Sequence, residues 1–244
     1  FNPITEEKQR VGSITPEQEV ALGVQAAPEM AQQFGGLDPD PELQARVDQV
    51  GGRLASRSAA AQSPYRFEFH LLDDPETVNA FALPGGQIFI TEGLLRQLGT
   101  EGQLAGVLGH EIAHVVARHG AEHIAKQQLT QGLTGAAVLA TYDPTDPSSR
   151  GSAAVAAMIG QLVTMRFGRE DELESDQLGV RFTAEAGYDP RALIAVMEVL
   201  AQSSGGQRQP EFFSTHPNPE NRVARIEQAI RERFPEGVTE GLER

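Results

Sequence analysis

The stretch Thr100–His119, TEGQLAGVLGHEIAHVVARH, decides how this chain is read. Leu104, Val107, Leu108, Ile112, Val115 and Val116 recur at near-helical period, so the stretch is expected to be one helix. Thr100 and Gln103 pair as a capping box at its start, and Gly120 stands where a C-terminal cap glycine belongs. Inside it lies His110-Glu111-Ile112-Ala113-His114. Residues four apart share a helix face one turn from each other, so the two imidazoles project together. Such a pair suits zinc, which takes imidazole nitrogen readily and needs no redox chemistry. Glu111 sits beside them.

The composition around this helix is that of a globular protein. At 244 residues the chain can bury one substantial core or two small ones. Its 34 acidic residues against 20 basic ones give a charge of −14, which argues against nucleic acid or an anionic membrane as partner. Cysteine is absent, so a disulfide, a thiolate ligand and a thiol nucleophile are all excluded. That absence fits an oxidising compartment. No apolar run reaches the 18 or so residues of a membrane span. Leu133–Ala140 and Ala153–Val163 are short and rich in alanine and glycine, and are expected to be buried helices. The first residue is Phe1, which points to residues removed upstream.

In chain order, residues 1–14 are expected to be an extended arm, and 15–244 a single domain. Thr15 and Pro16 start a helix to about Phe34, closed by Gly35-Gly36. Asp40-Pro41 opens a second, with Leu43, Val47, Val50 and Leu54 on one face. Tyr65, Phe67, Phe69 and Leu71 alternate with polar residues, the pattern of a strand buried on one side. Pro84-Gly85-Gly86 marks a turn between two short extended segments, and a short helix near Gly93–Leu98 leads into the motif helix. Further helices are expected at Ala121–Thr141, Ser152–Arg166, Arg169–Ala186 and Pro190–Gln202, with a loop at Asp143–Gly151. Ser203–Pro210, rich in glycine and glutamine, offers little to bury and is expected to open easily. Asn218 is expected to cap a last helix to about Phe234.

Two histidines leave a catalytic zinc one protein ligand short. A third histidine six residues after His114 is excluded, because that position is Gly120. A glutamate from a later helix is the other solution, and Arg169-Glu170-Asp171-Glu172-Leu173-Glu174-Ser175-Asp176 offers several. HEIAH, followed downstream by ExxxD in the context RxxExxxDxLG, resembles metallopeptidase family forty-eight, the gluzincin group of the HtpX and CAAX prenyl protease type. The segment Asn79–Leu95, NAFALPGGQIFITEGLL, and Thr215-His216-Pro217 followed by Arg222 resemble the same family. The resemblance runs from about Thr15 to Phe234.

It implies an α+β, mainly helical zincin-type domain with a small antiparallel sheet beside the HExxH helix. It implies one zinc ion per chain, held by His110, His114 and Glu172, with Asp176 accepting a hydrogen bond from a ligand imidazole. Glu111 would be the general base of peptide-bond hydrolysis, and His216 and Arg222 candidate donors to the oxyanion. His216 could instead fill the fourth zinc position at rest. Gly86–Thr91 would be an edge strand that pairs with an extended polypeptide substrate, making Gly86, Gln87, Ile88 and Phe89 substrate-binding, with Asn79 and Ala80 at the rim. His70, His119 and His123 are read as having no part in the site, and Glu170, Asp171 and Glu174 as a solvated helix face. Membrane members of the family carry transmembrane helices that this sequence does not show. The resemblance is therefore to soluble or lipid-anchored members of the bacterial periplasm or cell envelope, with an anchor possible upstream of Phe1. The substrates it implies are misfolded or misassembled envelope proteins. A zinc-dependent binding or chaperone-like module with little turnover is the competing reading, and Glu111 argues against it.

Overall fold

A computed structural model describes residues 1–6, 14–131, 162, 165–203, 210–217, 221–239 and 241–243. Helix α1 (Pro16–Gln33) begins with the Thr15 hydroxyl accepting from Gln18 N–H and the Gln18 side chain accepting from Thr15 N–H. Helix α2 (Pro41–Arg57) is capped by Asp40, whose carboxylate accepts from Glu42 and Leu43 N–H. Strands β1 (Glu68–Leu72), β2 (Ala80–Leu83) and β3 (Gln87–Thr91) follow, then the single turn α3 (Glu92–Leu95). The motif helix is α4 (Glu101–Ala117), and α5 (His119–Gln131) leaves from its end. The remaining helices are α6 (Arg169–Glu185), α7 (Ala192–Ser203), the single turn α8 (Phe212–Thr215) and α9 (Arg222–Arg233).

Helix content dominates, beside one small sheet, as the α+β reading expects. The sheet differs in detail. Its order is β1-β3-β2, with β3 antiparallel to β2 but parallel to β1, so it is mixed. The turn at residues 84–86 makes β2 and β3 antiparallel neighbours, while the longer crossover of residues 73–79 places β1 on the far side of β3, running with it. The turn needs its glycines. Gly85 has φ +83°, and a Cβ there would fall 2.3 Å from Val20 Cα.

Both faces of the sheet are covered, which departs from the one-sided burial expected of β1. Leu71, Ala80, Ile88 and Ile90 join the larger core with α2, α4, α6 and α7. Leu72, Phe81, Leu83 and Phe89 join a second cluster with Leu22, Ala26 and Met30 of α1. Helix α4 lies at the centre and is buried all round from Leu104 to Ala117. It packs most extensively on α6, and two glycines make the approach close. A Cβ on Gly179 of α6 would stand 3.3 Å from His110 N, and one on Gly109 of α4 3.1 Å from Thr183 Oγ1. This crossing brings Glu172 and Asp176 of α6 to the histidines of α4.

The end of α4 departs from expectation. The helix stops at Ala117, and the left-handed cap is Arg118 at φ +63°, not Gly120. Arg118 is tied from outside: its Nε donates to Glu19 Oε1 at 2.7 Å and its Nη2 to Ile14 O at 2.7 Å. Tyr65 OH donates to the other Glu19 oxygen at 3.0 Å. Gly120 instead meets Pro84, whose Cγ would lie 3.1 Å from an added Cβ.

Residues 1–6 of the expected arm are folded as a turn, with Asn2 Nδ2 donating to Val116 O at 2.7 Å. Helix α9 starts at Arg222 with Asn221 as cap residue. Residues 7–13, 132–161, 204–209 and 218–220 lie outside the described residues. With them lie the second half of the helix expected to Thr141, the loop at Asp143–Gly151, most of the helix expected at Ser152–Arg166, the glycine-rich stretch after Ser203, and Asn218. Among the described residues, no helix is long and apolar enough to cross a membrane.

Candidate metal centre

Helix α4 delivers His110 and His114, both buried, one turn apart. Helix α6 crosses it and delivers Glu172, with Asp176 one turn on and on the same face. The single turn α8 delivers His216, whose N–H donates to Phe212 O at 2.8 Å and whose ring stacks on Phe212 at 4.4 Å. His110, His114, Glu172 and His216 each aim one ligand atom at a common point.

The spacing of those atoms fits a tetrahedral metal. Ligands about 2.0–2.1 Å from a zinc-sized ion at tetrahedral corners stand about 3.3 Å apart. His110 Nε2 lies 3.1 Å from His114 Nε2 and 3.4 Å from His216 Nδ1. Glu172 Oε1 lies 3.0 Å from His216 Nδ1 and 3.3 Å from His114 Nε2, and Glu172 Oε2 is 3.5 Å from His110 Nε2. Fully buried polar atoms here lack hydrogen-bond partners: both Glu111 oxygens, His216 Nε2, and Glu172 Oε2, which has only the ion-pair contact of Arg222 Nη1 at 3.1 Å. Such a concentration is costly unless something polar joins the cluster.

The charges agree. Burial opposes ionisation of Glu172, but His216, His110 and His114 outweigh it and hold its carboxyl well below the usual range. Burial pushes His114 well below the ordinary imidazole value and so favours its neutral form, the one a metal would need. His110 runs the other way: burial lowers it, yet hydrogen bonds with Asp176 and Glu172 prevail and raise it to about 9. Burial raises Glu111.

His110 Nδ1 lies 2.9 Å from Asp176 Oδ1, so Asp176 sits against the ring nitrogen opposite the one that joins the cluster. Arg222 differs from the donor expected. It is buried, with Nε donating to Asp176 Oδ2 at 2.7 Å, Nη2 to Oδ1 at 2.9 Å, and Nη1 at 3.1 Å from Glu172 Oε2. Its fork is committed to two carboxylates from behind, where it holds Glu172 and Asp176 in place.

The substrate strand also differs. β3 is the central strand, with β1 and β2 on its two sides, so Gly86, Gln87, Ile88 and Phe89 have no free edge to offer. Ile88 and Phe89 point into the two cores, and Gln87 bonds His70 and Glu68. Among the described residues, β1 and β2 are the outer strands; the outer edge of β1 is partly taken by Leu37 and the Gln44 side chain, and β2 carries the other edge. Asn79 and Ala80 stand at its start, with Asn79 Oδ1 buried and unpartnered. Asn79, Phe81 and Ala82 line a cleft whose other wall includes Phe167, Glu211 and Thr215.

His119 and Glu174 were passed over in the sequence and lie beside the centre. His119 is buried against His114, and its far nitrogen meets Glu174. His123 pairs with Asp171 at 3.0 Å, and Asp171 also accepts from Gly168 N–H at the start of α6. Of the three acids read as a solvated face, only Glu170 is exposed. His70 is half-buried and stacks on Phe89. Phe167, also unforeseen, stacks on His114 at 3.9 Å.

A central helix presenting two histidines one turn apart, a carboxylate from a later helix and a small sheet alongside define a zincin-like metallopeptidase domain. Residues 41–230 match peptidase family M48, and the chain belongs to that family of metallopeptidases. Beta-barrel assembly-enhancing protease of Escherichia coli (strain K12) is 35% identical over an alignment of 196 residues that covers 76% of this chain and 38% of that protein. The Yersinia pestis protein of the same name is 33% identical over 191 residues, with the same shares. Mitochondrial metalloendopeptidase OMA1 of Schizosaccharomyces pombe is 34% identical over 184 residues, 72% of this chain and 50% of that protein. The chain thus spans between about two fifths and half of the length of these relatives.

Proposed function

We propose that residues 15–244 form one zinc metalloendopeptidase domain of the HExxH-plus-ExxxD type, with one ion held by His110, His114 and Glu172. The observation that carries this reading is the tetrahedral spacing of the ligand atoms beside Glu111, a buried carboxylate with neither oxygen hydrogen-bonded. Zinc, when bound there, would polarise the scissile carbonyl and acidify water. Glu111 takes a proton from the attacking water and returns it to the leaving amine, a role suited by the raised proton affinity that burial gives it. Asp176 holds His110, and Arg222 holds both carboxylates of α6.

An extended polypeptide adds to the free edge of β2, past Asn79 and Ala80, so that backbone bonds give affinity and the cleft walls give selectivity. His216 is the resting-state plug in this reading. Its Nδ1 stands at ligand spacing, and a substrate displaces it by binding the opened form better. Misfolded or misassembled envelope proteins as substrates, and the periplasm or cell envelope as compartment, rest on the similarity to beta-barrel assembly-enhancing proteases.

The fourth ligand atom also favours a second reading. A closed four-ligand site is the form of a structural zinc, so a binding or chaperone-like module with little turnover would show the same spacing. Glu111→Gln separates the two. Zinc content and folding should match wild type while kcat on an unfolded protein substrate falls by about 100-fold or more. Equal and measurable cleavage by both proteins would refute the general-base role, and no cleavage by wild type would favour the closed module.

A further inference from the structure

His110 and His114 are supported differently. His110 is held by a carboxylate in one step. His114 Nδ1 lies 3.0 Å from Nδ1 of His119. His119 Nε2 lies 3.1 Å from Glu174 Oε2, and Ser175 Oγ is 3.3 Å from His119 Nδ1. All of these groups except Glu174 are buried.

Two ring nitrogens at 3.0 Å share one proton. A histidine that ligates through Nε2 carries its proton on Nδ1, so His114 donates and His119 accepts. The proton of neutral His119 is then on Nε2, which faces Glu174, an acceptor when ionised. Ser175 Oγ is the more distant neighbour of His119 Nδ1, at 3.3 Å against 3.0 Å for His114 Nδ1. We propose that His119 is the positioning residue for His114, fixed in turn by Glu174, so that a carboxylate–imidazole–imidazole relay orients the second metal-binding histidine. The inference rests on the reading that His114 binds metal through Nε2.

The relay depends on the helix break. On a continuous helix, a residue five positions after His114 is turned well away from it. The left-handed Arg118 ends α4 and starts α5 at His119, and that change of direction brings the His119 ring 5.0 Å, centroid to centroid, from His114. Glu174 comes from α6, between the Glu172 and Asp176 turns. The same crossing helix therefore supports both ligand histidines, through Asp176 on one side and Glu174 on the other.

Nitrogen-15 NMR of the imidazoles in the zinc-loaded wild-type protein tests the tautomers without any substitution. The expected result is His114 protonated on Nδ1 and His119 on Nε2; His119 protonated on Nδ1 overturns the relay. Zinc affinity by chelator competition tests its consequence. His119→Leu should weaken zinc by about 10–100-fold, the usual effect of losing an outer partner. His119→Gln should recover most of that, since its amide oxygen accepts from His114 and its amide nitrogen donates to Glu174. Unchanged affinity in His119→Leu, or an equal loss in the leucine and glutamine variants, overturns the proposal. Failure of wild type to bind zinc defeats the metal reading itself, whereas tight wild-type binding with no effect of His119→Leu defeats the relay alone.

Discussion

The crossing of α4 and α6 gives the sharpest prediction, because one missing methyl group lets the site assemble. In Gly179→Ala the new Cβ stands 3.3 Å from His110 N, 3.4 Å from His110 Cα and 3.5 Å from Gly109 C. Carbon contacts are comfortable at about 3.5–4.0 Å, so the methyl intrudes on backbone that cannot swing aside. Overpacking of this kind costs about 1–3 kcal/mol. Alanine returns about 0.8–1.0 kcal/mol of helix propensity, so the net loss for Gly179→Ala is about 0–2 kcal/mol. Gly179→Val adds two more carbons and gives back much of the propensity gain, so about 2–3 kcal/mol should be lost. For a chain of this size that is a fall in Tm of about 4–12 °C. Relief comes by parting the helices, which draws Glu172 and Asp176 off the histidines, so zinc affinity should fall with stability. Gly52→Ala is the control: it lies on an exposed face of α2, its Cβ would meet nothing within 4 Å, and it should stabilise by about 0.4–1 kcal/mol. Thermal melts and chelator competition on the three variants decide the matter. A Gly179→Val protein that melts with wild type and keeps its zinc affinity would refute the reasoning.

Arg222→Met leaves Asp176 and Glu172 buried without their cation and should cost about 3–5 kcal/mol in urea unfolding, with weakened zinc binding; a pure loss of kcat with zinc affinity intact would return Arg222 to the oxyanion. His216→Ala removes the fourth ligand atom, so activity on a protein substrate should rise while zinc retention falls; lower activity would leave His216 only a donor role. For Glu185, burial opposes the charge, but Ala59 N–H, Arg181 and Arg233 prevail and lower its pKa. Its contribution is thus present above the unfolded value of about 4.3 and is lost as pH falls through the lower folded one. Glu185→Gln should therefore destabilise at neutral pH by at most about 1 kcal/mol, given the exposure of the two arginines, and the gap should close in acid. A gap that widens on acidification would reverse the assigned sign.

What the sequence determined by itself was everything carried by helical spacing and local capping. The apolar period of Leu104–Val116, the four-residue step from His110 to His114 and the matching step from Glu172 to Asp176 are local geometry, and a helix leaves no freedom in them. Thr15 and Asp40 start α1 and α2 through bonds no longer than three residues. Strand order was decided only by the tertiary structure, because the pattern of Gln87–Thr91 suits a central strand and an edge strand equally, and the crossover of residues 73–79 settles which it is. The partners of Arg222 come from α6, 46 positions away in the chain for Asp176, so its charge alone did not reveal that it faces carboxylates. His119 is the clearest case. Local rules continue α4 to Gly120 and turn His119 outward. Contacts with Ile14 and Glu19, about a hundred residues earlier in sequence, hold Arg118 at a left-handed conformation that an arginine rarely adopts, and that single dihedral turns His119 back onto His114.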